Sequence, residues 1–315
     1  MLKSKALILA KIETEYGTDS GPLAAANAIL CADPEITPIA KSLERNNVKG
    51  SFGAKAKLII GEGQKISFTT ELRGPGGSAP ITTAPDIGPL FRACGFTQTI
   101  VTTEGQECVK YIPHSAFEGE SITLWFYMDN NLHKAVGCRG TFGLDTKANE
   151  YALIKWEFTG LYAGPVHSAS IPTPTFTSVL PPVFKSAGFA IDGYAAIIES
   201  LKFNMNNSIV KRTDANAATG ILSWNISERT VTAEIDPEVA AIGTKDFWAM
   251  WANSSTVAMT ATIGQSVGNR CVITCPAVQP DDIKYSDREK ILTYQYPLLV
   301  KPTDAGNDEI EFKFN

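Results

Sequence analysis

Long apolar runs are missing from this sequence of 315 residues. None approaches the roughly 20 residues that a helix needs to cross a bilayer, so no membrane span is expected. The opening "MLKSKALILAKIETEYG" has a basic start and one apolar patch, Ala6 to Ala10. It then meets Lys11, Glu13 and Glu15 without a cleavage site, which argues against a signal peptide. An excess of positive charge is missing too: 28 Lys plus Arg stand against 33 Asp plus Glu, a net charge of −5. That balance argues against charge-driven nucleic-acid binding, and a mildly acidic surface lets a polyanion pass without sticking. Histidine is scarce. His114, His133 and His167 are scattered, with no acid or cysteine at ligand spacing, so no metal centre or histidine-based triad is expected. The six cysteines lack zinc-ribbon spacing, and in a chain made in the cytoplasm disulfides are not expected. Cys271 and Cys275, four apart, share one face of a strand and read as buried thiols.

A phosphate cradle is also lacking, although one stretch invites the idea. "ELRGPGGSAPITTAPDIGPLFRACGF", residues 71–96, runs from a Gly/Pro-rich loop into a short amphipathic segment. The loop has no Gly-Lys-Ser/Thr ending, its prolines remove donors, and the helix starts well downstream. "GCRG" and "GTFG" (137–143) make no nucleophile elbow. The Asp residues of "QPDDIKYSD" (279–287) lack the spacing of a calcium loop and read as a solvated turn. No cofactor is expected, and no enzyme declares itself.

What is present is alternation with a period of two. "KISFTTEL" (65–72), "SITLWFYM" (121–128), "YALIKWEFTGLY" (151–162), "IIESLKFNM" (197–205), "RTVTAEI" (229–235), "TVAMTATI" (256–263), "CVITC" (271–275), "ILTYQY" (291–296) and "EIEFKF" (309–314) all read as strands. Two helices interrupt them. In "PDIGPLFRACG", Asp86 is the expected cap, Ile87, Leu90, Phe91 and Cys94 form the stripe, and Gly95 ends it. In "GTKDFWAMWAN", Thr244 is the expected cap, with Phe247, Trp248 and Trp251 as the stripe.

The proline-rich segment 163–188 divides the chain near its middle. A weak repeat spans it. Asn46-Asn47 aligns with Asn206-Asn207, Glu71 with Glu234, and Trp156 and Phe158 with Tyr294 and Tyr296, in the same order in both halves. The reading is mainly β: two tandem β-sandwich or barrel domains, each with one short flanking helix. The divisions are an N-terminal arm (1–35), a first domain (36–165), a linker (166–190) and a second domain (191–315).

"LAKIETEYGTDSGPLAAANAILCADPEITPI" (9–39), followed by "ISFTTELRGPGGSAP…IGPLFRACGF" (66–96), resembles the major tail tube proteins of long, non-contractile-tailed bacteriophages. The matched elements lie at Lys11 to Ile29, Phe68 to Gly77 and Leu90 to Phe96. The resemblance implies a structural virion protein that stacks into rings around a lumen for double-stranded DNA. It also implies a place in the virion tail and assembly partners there: tape measure, tail tip and terminator proteins. Joined to the repeat, it implies a homotrimer whose six domains make a pseudo-hexameric ring. On this reading Tyr16, Pro22, Asn27, Gly74, Pro75, Gly76, Gly77 and Pro80 are candidates for contacts between subunits. Ile12 to Cys31 would then pack on a neighbouring domain or ring. Glu71 and Glu234 are candidates for a carboxylate-lined lumen. The competing reading is a β-sandwich binding module, an adhesin or carbohydrate binder of a phage particle, with Trp125, Tyr127 and Trp156 as its platform.

Overall fold

The alternating segments form strands because period-two apolar residues can bury one face of a sheet while the other stays polar. In a computed structural model describing residues 5–48, 50, 53–167 and 170–315, nineteen strands and three short helices are seen among those residues. The start "MLKS", Lys49 of the Asn-Asn turn segment and the His167 side chain lie outside the described residues.

The first half holds β1 (Ala6–Ile12), α1 (Ala24–Asn27), β2 (Ala28–Ile29), β3 (Ala32–Glu44), β4 (Lys57–Glu71), α2 (Gly88–Ala93), β5 (Phe96–Val101), β6 (Cys108–Pro113), β7 (Ile122–Met128), β8 (Asn131–Lys147) and β9 (Leu153–His167). The second half holds β10 (Ala190–Ile191), β11 (Ser200–Asn204), β12 (Ser208–Thr213), β13 (Ile221–Glu228), β14 (Thr232–Ile235), α3 (Phe247–Ala252), β15 (Val257–Ile263), β16 (Cys271–Pro280), β17 (Lys284–Arg288), β18 (Ile291–Lys301) and β19 (Glu311–Phe314). Seventeen strands join one antiparallel sheet system, and β12–β13 form a separate two-stranded ribbon.

The apolar patch at the start of the chain is a core strand. β1 pairs with β7 along its whole length, Ile8 opposite Phe126, and Ile8 is fully buried. The two halves share one hydrophobic core. Phe91 of α2 stacks on Tyr111 and meets Trp156 edge-on, with ring centroids 5.1 Å apart in each case, and Phe312 from the far end of the chain approaches as closely. β19 lies between the halves, pairing with β16 on one side and β6 on the other.

Both helix caps differ from expectation. Ile87 occupies the cap position of α2 with no side-chain cap, and Asp86 instead accepts a 2.8 Å hydrogen bond from the buried Arg73 guanidinium. α3 is capped by Asp246, whose carboxylate accepts from the Ala249 N–H at 2.8 Å; Thr244 lies before the helix. Asp246 sits where its oxygen reaches an unpaired first-turn N–H, as a cap must. Trp251 faces outward rather than joining the α3 stripe, while Phe247 is buried against Tyr296.

Candidate functional site: the joints between the halves

Three sets of contacts hold the halves together, and they account for several of the residues singled out from the sequence. The first is the Gly/Pro loop. Gly74 donates to the Asn269 side chain and Gly76 to the Gly268 carbonyl, at 2.9 and 2.8 Å. A Cβ on Gly74 would overlap the Gly268 carbonyl oxygen, so glycine is required by close approach of two backbones. Asn269 in turn donates to the Leu180 carbonyl at 2.8 Å, tying the proline-rich segment to the same turn. Thr175 donates to Ala24 O, so that segment is fixed to the first half as well. Pro75 is half-buried beside this contact, whereas Gly77 and Pro80 are exposed.

The second joint is a buried polar cluster. Glu13 accepts from the Ser121 and Thr123 hydroxyls and from the Gly17 and Gly137 N–H groups, all at 2.7–2.9 Å. Arg139, 3% exposed, donates to the Gly119 and Trp224 carbonyls and to the Asn225 side chain. Its guanidinium lies 4.7 Å from the centre of the Tyr16 ring. The Tyr16 oxygen accepts from the Trp224 N–H at 2.8 Å. Burial pushes the Tyr16 hydroxyl up to about 12 and the Arg139 guanidinium down from its ordinary value. Gly137 permits the contact: its φ is +62°, and a Cβ there would come within 2.6 Å of the Tyr16 ring. Nearby, Asn207 of the second Asn-Asn turn donates to Cys94 O and Gly140 O at 2.8 and 2.9 Å.

The third joint is a continuous sheet. β8 of the first half pairs antiparallel with β11 of the second, from Ser200 opposite Lys147 to Asn204 opposite Gly143. β4, β9, β8, β11, β14 and β18 therefore follow one another side by side. Glu71 and Glu234 lie on the same outward face of this run. Glu71 stands 3.7 Å from Arg73, and Glu234 accepts from Gln295 at 3.3 Å. That face is not carboxylate-rich: Lys65 pairs with Glu157 at 2.6 Å, and Lys202 is the register neighbour of both Asp145 and Glu234. Alternating charges keep it near neutral, which still offers a polyanion no continuous basic track.

The remaining sequence candidates are placed as follows. Pro22 is buried, and the Asn27 side chain accepts from the Leu23 N–H at 2.9 Å. The aromatic platform of the binding-module reading is overturned: Trp156 and Tyr127 are buried, and Lys134 sits 4.0 Å over the Trp125 ring. Five of the six cysteines are buried free thiols, Cys31 being half-buried, and burial raises Cys271 and Cys275 well above the usual thiol range. His114 is lowered, chiefly by burial. Among the described residues no group of three or more His, Cys, Asp or Glu is placed to hold a metal ion, and no helix is long and apolar enough to cross a membrane. Arg139, Trp224 and Asn225 escape a reading of the sequence; the flanking glycines of "GCRG" are the one local hint, since they signal close approach.

These surfaces join chain to chain segment and make no constellation for chemistry. A family model for phage tail tube proteins matches residues 3–310. The chain belongs to the phage tail tube protein family. It is a structural, non-enzymatic component of the tail tube in the virion tail, and membership carries with it self-assembly alongside other tail proteins. None of the curated proteins matches it.

Proposed function

We propose that three copies of this tail tube protein close into a ring of six pseudo-equivalent domains, two per chain. Stacked rings then form a conduit for double-stranded DNA in a long, non-contractile tail. The observation that carries the reading is the β8–β11 pairing. In the first half β8 follows β4 and β9 across the sheet, and in the second half β17 follows β14 and β18 in the same order. Among the described residues β17 pairs with β18 alone and leaves its other edge open. A second copy can lay its β2–β3 segment there, as β11 lies on β8 within the chain. Repetition of one head-to-tail joint closes a ring and removes the open edge that would otherwise invite aggregation.

The matched order of acidic strand end, helix and aromatic strand supports the duplication; the Asn-Asn pairs do not, since Asn46-Asn47 lie in the β3–β4 turn and Asn206-Asn207 between β11 and β12. On this reading the face bearing Glu71 and Glu234 turns toward the lumen. Gly77 and Pro80, exposed beyond the docked part of their loop, turn toward neighbouring subunits. The N-terminal resemblance supports a tail without a sheath, in which tape measure, tip and terminator proteins are the natural partners. Electron cryo-microscopy of assembled tubes tests the ring. Threefold symmetry with six similar lobes is expected; six whole chains per ring would overturn it.

A further inference from the structure

The two halves each project a hairpin, and only one of them is covered. In the second half the β12–β13 ribbon folds onto the first half. Its basic residues meet acids there, Lys211 to Glu62 at 2.8 Å and Arg212 to Glu118 at 2.7 Å. Its Ile226 methyl lies 3.3 Å from where a Cβ of Gly95 would stand, at the end of α2. In the first half the outer part of β3–β4 has no such cover among the described residues. Ile59 is 72% exposed and Leu58 55%, with Leu43 and Ile60 exposed beside them.

The surface that would receive this tip is present on the second half. α2 and α3 end alike: Gly95 (φ +84°) donates to Arg92 O, and Ser254 (φ +51°) donates to Trp251 O, at 3.1 and 3.0 Å. The side chain three residues before each end reaches the same following loop. Arg92 Nε donates to Glu120 at 2.7 Å, and Trp251 Nε1 donates to Asp281 O at 3.4 Å. Ser254 and the 280–285 segment therefore stand in the second half where Gly95 and the 114–121 loop stand in the first. There the ribbon covers Gly95 and touches the loop through Arg212–Glu118, with Arg229 just beyond it donating to His114 O; on the second half Trp251, Ser254 and Tyr285 are exposed. The charges match as well. The described part of the uncovered hairpin carries Lys41, Arg45, Lys55 and Lys57 against Glu44, and the vacant surface offers Asp281, with Asp282 paired to Lys284 at 2.5 Å.

We propose that the β3–β4 tip of one chain seats on a second copy of this chain. Ile59 lies against Trp251 of the partner subunit and Tyr285 of the partner subunit, beside the end of its α3, while Leu58 and Leu43 share the hairpin's other face. The contact rests on the ring reading and locates its second interface: each hairpin folds back on the domain before it, once within a chain and once between chains. Exposed apolar side chains of this size gain from burial in proportion to area, and the surrounding opposite charges set direction and register.

The test joins the tip to its seat covalently. A chain carrying Ile59→Cys and Ser254→Cys is assembled and oxidised, with wild type as control for the native thiols. Docking raises the effective thiol concentration, so the cross-linked fraction should rise about tenfold or more over either single variant. A covalent species closing at three chains supports the contact. A closure at six keeps the contact and sinks the threefold ring. A ladder beyond these sizes means that the tip reaches across stacked rings and overturns the proposal, as do tubes with no interchain disulfide. Should the double variant fail to assemble, the two single variants are mixed with each other. A mixed disulfide dimer supports the contact, and its absence overturns it.

Discussion

Trp224 and Asn225, on the second half's hairpin, are buried against the first half, whereas Ile59 and Leu58 on the corresponding hairpin of the first half are exposed. The covered hairpin follows Asn206-Asn207, whereas Asn46-Asn47 lie in the turn of the free one, between β3 and β4; each hairpin returns into a strand that bears an acid, Glu234 or Glu71. The covered one is held by a buried arginine, a tyrosine oxygen and two ion pairs; among the described residues the outer part of the free one carries the Glu44–Lys57 pair at 2.8 Å. One kind of element can thus lock the two halves of the chain together in one place and stand exposed in another. The difference lies in what each hairpin lies beside, since both are apolar and basic.

The strongest way to break this comparison is at Arg139. Arg139→Met leaves the Trp224 carbonyl and the Asn225 side chain without their buried donor, and should cost about 3 kcal/mol of stability. Urea unfolding measures it, and a loss under about 1 kcal/mol would remove Arg139 from the joint. Tyr16→Phe is a smaller change and adds a pH signature. Folding raises the Tyr16 pKa from 10 to about 12, so the neutral form is the one the fold holds. Its contribution is complete below pH 10 and is lost as pH rises toward 12. The variant should lose about 1 kcal/mol at neutral pH, and less further stability than wild type between pH 10 and 12. Equal alkaline losses in the two proteins would contradict the assignment. The smallest effect is expected at Ile59→Asp. An exposed tip residue should leave the isolated chain within about 0.5 kcal/mol of wild type. A melt lowered well beyond that would mean that the tip is packed within its own chain.

The strands read from alternation are all present, because a half-buried strand writes its burial into every second residue. Tyr296 is legible as core for the same reason, and Phe91 and Phe247 through the three-to-four-residue stripes of α2 and α3. Other strands are hidden by residues that usually end them. β3 carries Pro34 and Pro38, tolerated in a strand with one neighbour, and β8 carries Gly137, Gly140 and Gly143, which let Tyr16, Phe158 and Asn204 come close. Gly74 is conspicuous in the sequence, yet the backbone it must approach lies at Gly268, almost two hundred positions away. The caps of α2 and α3 are misread for a related reason: Asp86 is taken by a buried arginine, and the distance between Asp246 and its N–H is a matter of local backbone geometry.

By itself the sequence determined the β class, two short helices, the buried thiols, the lack of catalytic chemistry and the kinship to tail tube proteins. Each of these is local in pattern or composition. Only the tertiary structure decided that the Gly/Pro loop docks on the second half, that Arg139 is a buried fastening, and that one hairpin is covered while its counterpart is free. Those outcomes depend on pairings between residues far apart in the chain. Alternation sets which face of a strand is apolar but leaves open which surface will cover it.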